Sequence, residues 1–142
     1  MMNISVLIID DSRPVGIRLQ RYLGGIPWIA TIQYAESLQL AGVLVGEQKF
    51  DVIILDHHFP NGYGVDFLNA HGARFQDTAI VVYSAFGSGL NHTMYRELGV
   101  AAVIDKSSAP EELLATIEAL TVDRRVASDR GVASSQEMGE QA

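Results

Sequence analysis

Ile4-Ser5-Val6-Leu7-Ile8-Ile9-Asp10-Asp11 and Val52-Ile53-Ile54-Leu55-Asp56 decide how this chain is read. Each is a short apolar run, rich in β-branched residues, that ends abruptly in carboxylates, as a buried strand does where it leaves a sheet. Two more runs repeat the arrangement with other polar groups. Ala79-Ile80-Val81-Val82-Tyr83 ends in Ser84, and Val100-Ala101-Ala102-Val103-Ile104 ends in Asp105-Lys106. If the four are parallel strands of one sheet, these polar residues share its carboxyl edge, where open α/β sheets place their ligands. Three carboxylates, a hydroxyl and an ammonium then converge.

The stretches between the runs are helical in pattern. Val15, Ile17, Leu19, Tyr22 and Leu23 alternate with Arg13, Arg18, Gln20 and Arg21, with Pro14 in the first turn and Gly24-Gly25 at the end. Trp28 to Tyr34 reads as a second strand, and Glu36 to about Gln48 as a helix carrying Leu38, Leu40, Val43 and Leu44. The Asp51–Leu55 strand meets a loop with Pro60, Asn61, Gly62 and Gly64, followed by a short helix to about Ala70. Gly87-Ser88-Gly89 leads into a fourth helix that Gly99 stops, and Pro110 opens a fifth with Leu113, Leu114, Ile117 and Leu120 on one face. Five strands alternating with five helices predict an α/β fold with a parallel sheet.

At 142 residues and 48% hydrophobic, the chain suits one domain with one core, placed at residues 1–120. Residues 121–142 are polar and poor in large apolar side chains, and are expected to be a disordered tail or a linker. No apolar run approaches the roughly 20 residues of a membrane span, and with no basic region before the first apolar stretch a secretion signal is not expected. Cysteine is absent, which removes disulfides and thiolate metal sites, so a cytoplasmic location is expected. The net charge of −7 and the scattered basic residues argue against direct nucleic-acid binding.

Gathering Asp10, Asp11 and Asp56 is unfavourable without a counter-charge, because two carboxylates about 4 Å apart repel by roughly 4 kcal/mol at an effective dielectric near 20. A hard divalent cation answers that cost, and an all-oxygen set favours Mg²⁺ over zinc. A carboxylate is also a competent nucleophile toward a phosphoryl donor, and Mg²⁺, Lys106 and the Ser84 hydroxyl can each neutralise one phosphoryl oxygen. Taken singly, each residue has a plainer use. Asp10 or Asp11 caps a helix, Asp56 starts an Asx-turn, Ser84 sits in a turn and Lys106 is solvated. All of these at four successive strand ends is an improbable coincidence.

The ordered set Asp10-Asp11, Ile54-Leu55-Asp56 with Pro60-Asn61-Gly62, Tyr83-Ser84-Ala85, and Leu98-Gly99-Val100-Ala101 running into Asp105-Lys106 resembles the receiver domains of bacterial two-component response regulators. The resemblance covers about Ile4 to Leu120. It implies a flavodoxin-like (βα)₅ three-layer sandwich with strand order 2-1-3-4-5. By the same resemblance Asp56 is the phosphoacceptor, Ser84 and Lys106 bind the phosphoryl group, and Asp10, Asp11, Asp56 and the His58 carbonyl hold Mg²⁺, Asp10 mainly through water. The implied donor is a histidine kinase or phosphotransfer protein. The implied output is a protein partner or dimer on the helix 4–strand 5–helix 5 face, roughly Leu90 to Leu120, and the protein is a switch rather than an enzyme.

Two positions depart from the family pattern: Val103 stands where an aromatic is usual, and Lys106-Ser107 replaces Lys-Pro. His58 and Phe86 occupy variable positions that in the family tune hydrolysis. The Val103 exchange keeps an alternative in view, a receiver-like module that docks a partner without phosphorylation. Asp56-His57-His58 also spells the signature of a metal-dependent phosphoesterase family, but that family's further acidic and histidine motifs are missing. A dehalogenase-type phosphatase wants Asp at position 58, and no glycine-rich nucleotide loop occurs.

Overall fold

The computed structural model describes residues 3–85 and 91–122. Its strands are β1 (Ile4–Ile9), β2 (Ile29–Ala35), β3 (Val52–Leu55), β4 (His58–Phe59), β5 (Gly62–Tyr63), β6 (Ala79–Ser84) and β7 (Val100–Asp105). The helices are α1 (Arg13–Gly24), α2 (Leu38–Glu47), α3 (Gly64–His71), α4 (His92–Glu97) and α5 over 110–122, with a 3₁₀ turn at Gly72–Arg74. Five strands form one parallel sheet in the order β2-β1-β3-β6-β7, which is the expected 2-1-3-4-5 order once β4 and β5 are set apart. Those two make a small antiparallel ribbon where a plain loop was expected.

Side chains of a strand alternate between faces, so a sheet covered on both sides divides its core in two. On one face Leu7, Ile9, Ile53, Leu55, Ile80 and Val82 pack with Ala41 and Val45 of α2, Phe67 and Leu68 of α3 and Tyr95 of α4. On the other, Ile4, Val6, Ile8, Val52, Ile54, Val81 and Tyr83 pack with Leu19 and Leu23 of α1 and Leu113 and Ile117 of α5. The result is the three-layer sandwich.

Local chemistry sets the helix ends. The Ser12 hydroxyl accepts from Val15 N–H and Pro14 occupies the first turn of α1, while Ser37 and Asn91 cap α2 and α4 in the same way. Gly99, at φ 89°, takes the left-handed conformation that ends α4 and lets β7 begin. The fifth helix includes Thr121 and Val122, beyond the expected Leu120, and the buried Thr121 satisfies its hydroxyl on the Ile117 carbonyl at 2.8 Å. The Gly87–Gly89 link, Phe86 and the tail from 123 onward lie outside the described residues.

Two helix faces differ from expectation. Ile17 of α1 and Leu40 and Val43 of α2 are exposed, at 41%, 41% and 53%. Gly16 in α1, and Ala41 and Val45 in α2, face the sheet instead. Small residues there let these helices sit close to the sheet.

Candidate functional site

The register of the sheet builds the site. Ile9 pairs with Leu55 across β1 and β3, and the Asp56 N–H then donates to the Ile9 carbonyl at 2.9 Å. Asp10 and Asp56 therefore leave the sheet side by side. Ser84 pairs with Asp105 across β6 and β7, and Lys106 N–H donates to the Ser84 carbonyl at 2.9 Å. All five side chains singled out by their place after apolar runs share this edge.

The carboxylates of Asp10, Asp11 and Asp56 each offer an oxygen within 4.8 Å of the others. Asp10 and Asp56 are buried and Asp11 is exposed. Lys106 closes the group, its Nζ lying 2.7 Å from Asp10 Oδ2 and 3.0 Å from Asp56 Oδ2. The remaining carboxylate oxygens are also held, since Asp10 Oδ1 accepts from Ser12 N–H at 2.8 Å and Asp56 Oδ1 from His57 N–H at 2.7 Å.

The ionisation of these groups follows from that crowding. Burial raises the pKa of Asp10, and the Lys106 and Ser12 hydrogen bonds only partly oppose it. Burial also works against the charge on Lys106, but the hydrogen bonds and charges of Asp10 and Asp56 together outweigh it and leave its pKa raised. One ammonium facing three carboxylates leaves negative charge over. An all-oxygen donor set with that surplus fits a hard divalent cation such as Mg²⁺. His58 adds no side-chain atom to this cluster, being exposed on β4 with its ring against Tyr63.

The loop after Asp56 is folded tightly against it. Gly64 N–H donates to the His57 carbonyl at 2.7 Å, and a β-carbon on Gly64 would lie 2.5 Å from the Asp56 carbonyl oxygen. Only glycine fits so close to another main chain. Beyond it, His57 Nδ1 shares a hydrogen bond with the hydroxyl of Tyr95, whose side chain is fully buried in α4. Burial holds the imidazole below its usual pKa against the opposing pull of Asp56, and burial pushes the Tyr95 hydroxyl up to about 12. His57 is thus a partly buried structural residue beside the site rather than a metal ligand. Val103 is half-buried against the same core cluster as Tyr95.

At the departure Lys106-Ser107 the peptide is trans, as are all described peptide bonds. The turn is secured instead by Asp105, whose Oδ1 accepts from both the N–H and the hydroxyl of Ser107 at 2.9 Å. A cleft of about 590 Å³ opens beside Asp11, lined by Glu36, Ser37, Leu38, Phe59 and Pro60 among others, so the edge is reachable from solvent. Sequence reasoning missed Tyr34, whose hydroxyl donates to the Asp10 carbonyl at 2.7 Å, and Tyr95. Both act across elements remote in sequence. The one cue available was a tyrosine at a strand's carboxyl end opposite a helical glycine.

The comparisons agree with this geometry. The family model described as the response regulator receiver domain matches residues 6–118. The transcriptional regulatory protein MalR of Bacillus subtilis is 34% identical over 82 residues, 58% of this chain and 35% of MalR. The phosphate regulon transcriptional regulatory protein PhoB of Pseudomonas aeruginosa is 27% identical over 124 residues, 84% of this chain and 52% of PhoB. The chain thus spans between a third and about half of these curated relatives. Among solved structures, a CheY-like receiver domain protein from Methanospirillum hungatei superposes with a TM-score of 0.76 at 20% identity, covering 88% of this chain and 98% of that one. Among the described residues no helix is long and apolar enough to cross a membrane.

Proposed function

The chain belongs to the response regulator receiver domain family, and from that premise we propose that it is a signalling switch phosphorylated on Asp56. The observation that carries the reading is the Lys106 ammonium bridging Asp10 and Asp56 at 2.7 and 3.0 Å on the carboxyl edge of the sheet. That arrangement holds a nucleophilic carboxylate next to a fixed cation, which phosphoryl transfer needs and a purely structural strand end does not.

In this reading an Asp56 carboxylate oxygen attacks the phosphorus of a phosphohistidine on a histidine kinase or phosphotransfer protein. The O–P bond forms as the P–N bond breaks, and the imidazole leaves with the electron pair and takes a proton. Lys106 passes from the Asp56 carboxylate to the phosphoryl oxygens, where its charge offsets the negative charge gathered there. The Ser84 hydroxyl donates to another phosphoryl oxygen. Asp10, Asp11 and Asp56, with the His58 carbonyl, would hold Mg²⁺, which when bound supplies charge neutralisation for the transferring group. Water later hydrolyses the acyl phosphate and resets the switch. The output is a change in protein contacts on the face formed by α4, β7 and α5.

Intact-mass spectrometry tests this on wild type and Asp56→Ala, after incubation with Mg²⁺ and either an acyl-phosphate donor or a phosphorylated histidine kinase. One added phosphoryl mass on wild type alone is expected. An adduct on Asp56→Ala would move the acceptor elsewhere. No adduct from either donor, with no response to Mg²⁺, would favour a module that docks its partner without phosphorylation.

A further inference from the structure

Asp10 leaves the sheet at the point where the backbone ladder ends. Its N–H still donates to the Ala35 carbonyl of β2 at 3.1 Å, the last backbone bond it makes to that strand. Its carbonyl would be orphaned by the turn into α1, and buried carbonyls need a donor. The Tyr34 hydroxyl supplies it at 2.7 Å. Burial, then the adjacent Asp10 carboxylate, pushes the Tyr34 pKa up to about 12, so the hydroxyl is a proton donor at neutral pH.

The ring that carries this hydroxyl is seated by an absence. A β-carbon on Gly16 would lie 2.4 Å from the Tyr34 ring, a distance no real contact shows. Gly16 is buried in the first turns of α1, so the ring occupies the space a larger residue would fill. One tyrosine therefore touches the end of β1 and the start of α1, and it is anchored in β2 opposite Ile8.

The Asp10 carbonyl belongs to the same peptide plane as the Asp11 N–H. Fixing that plane fixes where the Asp11 side chain starts. This matters because the carboxylates of Asp10 and Asp56 are aimed by hydrogen-bond donors, namely the Lys106 ammonium and the Ser12 and His57 N–H groups, whereas the exposed Asp11 carboxylate accepts no hydrogen bond from the described residues. Among the described residues, the backbone is what constrains where it begins. We propose that the Tyr34 hydroxyl, seated over Gly16, is a positioning group for the cation site, holding the Asp10–Asp11 peptide so that the Asp11 carboxylate faces those of Asp10 and Asp56. The inference rests on the reading of that cluster as a Mg²⁺ site.

Tyr34→Phe removes the hydroxyl and keeps the ring, so the fold is preserved. The experiment compares wild type, Tyr34→Phe, Asp11→Asn and the double variant. Mg²⁺ affinity is followed by amide chemical shifts, and thermal unfolding is recorded separately in EDTA. Outer partners of metal ligands typically contribute 10–100-fold in affinity, and the expected weakening for Tyr34→Phe is at the low end, about tenfold. Metal-free stability falls modestly, because the Asp10 carbonyl loses its donor, and in the Asp11→Asn background the Tyr34→Phe effect on Mg²⁺ affinity disappears because both act through one carboxylate. Gly16→Ala, which displaces the ring, weakens Mg²⁺ in the same direction.

Wild-type affinity in Tyr34→Phe overturns the proposal, as does a stability loss in EDTA with affinity unmoved, the signature of a merely structural hydroxyl. An undiminished Tyr34→Phe effect in the Asp11→Asn background also overturns it, since the hydroxyl would then act elsewhere. Wild type showing no Mg²⁺ response sinks the cation-site reading itself, and the positioning role with it.

Discussion

Replacing Lys106 by Met removes the only cation among the described residues within reach of the two buried carboxylates while leaving the aliphatic stem in place. At an effective dielectric near 20, charges separated by 2.7 and 3.0 Å attract by about 6 and about 5.5 kcal/mol before desolvation is counted. Desolvation takes back most of this, because the Lys106 side chain is only 15% exposed. Removing one member of a buried pair costs about 3–5 kcal/mol. The fold has an escape, however, because Asp10 can take a proton. Keeping an ordinary carboxyl protonated at about pH 7 costs about 4 kcal/mol, and at about pH 5 about 1.5 kcal/mol.

The loss in Lys106→Met is therefore expected to be about 3 kcal/mol near neutral pH and about half that near pH 5. The sign follows from Asp10, whose pKa burial already raises and which rises further without the ammonium. A carboxyl with a folded pKa above its unfolded value binds more protons when folded, so stability falls as pH increases through that interval. Urea unfolding in EDTA at both pH values measures it. Adding Mg²⁺ should restore the variant more than it raises wild type, since the ion replaces a missing charge. Equal unfolding midpoints for the two proteins near neutral pH, or a loss identical at both pH values, would refute the reasoning.

Three further outcomes are expected. Tyr95→Phe removes the hydroxyl bonded to His57 and should cost about 1 kcal/mol in urea unfolding, because it strands a partly buried ring nitrogen. Gly64→Ala forces a β-carbon against the Asp56 carbonyl and should destabilise by about 1–3 kcal/mol while reducing phosphoryl acceptance measured by intact mass. In wild type, the stability contributed by the Lys106 charge is fully present below its ordinary value of 10.5. It should be lost as pH rises through the higher folded value, which unfolding midpoints on the alkaline side would record.

The sheet and its polar edge were legible because both depend on local pattern. β3 and residues 80–83 of β6 are continuously apolar and buried, and the residue after such a run must emerge at the edge, so Asp56 and the Ser84 position could be placed without knowing any contact. The helix faces were harder. Leu40 and Val43 look like core residues by type, yet Ala41 and Val45 face the sheet, because α2 is apolar nearly all round and its rotation is set by packing. The β4–β5 ribbon has two residues per strand, too few for any periodicity to register. Tyr34, Gly16 and Tyr95 escaped because their importance lies in where one atom reaches, a property of the assembled sheet rather than of any window of sequence.

The split of β3 between the two halves of the core has a consequence for how the gene can change. Ile53 and Leu55 belong to one face and Val52 and Ile54 to the other, while Asp56 is bonded through its own amide to Ile9. Inserting or deleting one residue in β3 would turn every strand side chain beyond the change to the opposite layer and move the carboxylate by about 3.3 Å, one strand residue. Any length change that reaches Asp56 therefore also scrambles both layers, and the lesion is removed as a folding failure before it can act as a subtler defect of the site. Length variation that leaves Asp56 in place must fall in the connections, so drift in reading-frame length is channelled toward the loops around the site and away from the carboxylates themselves.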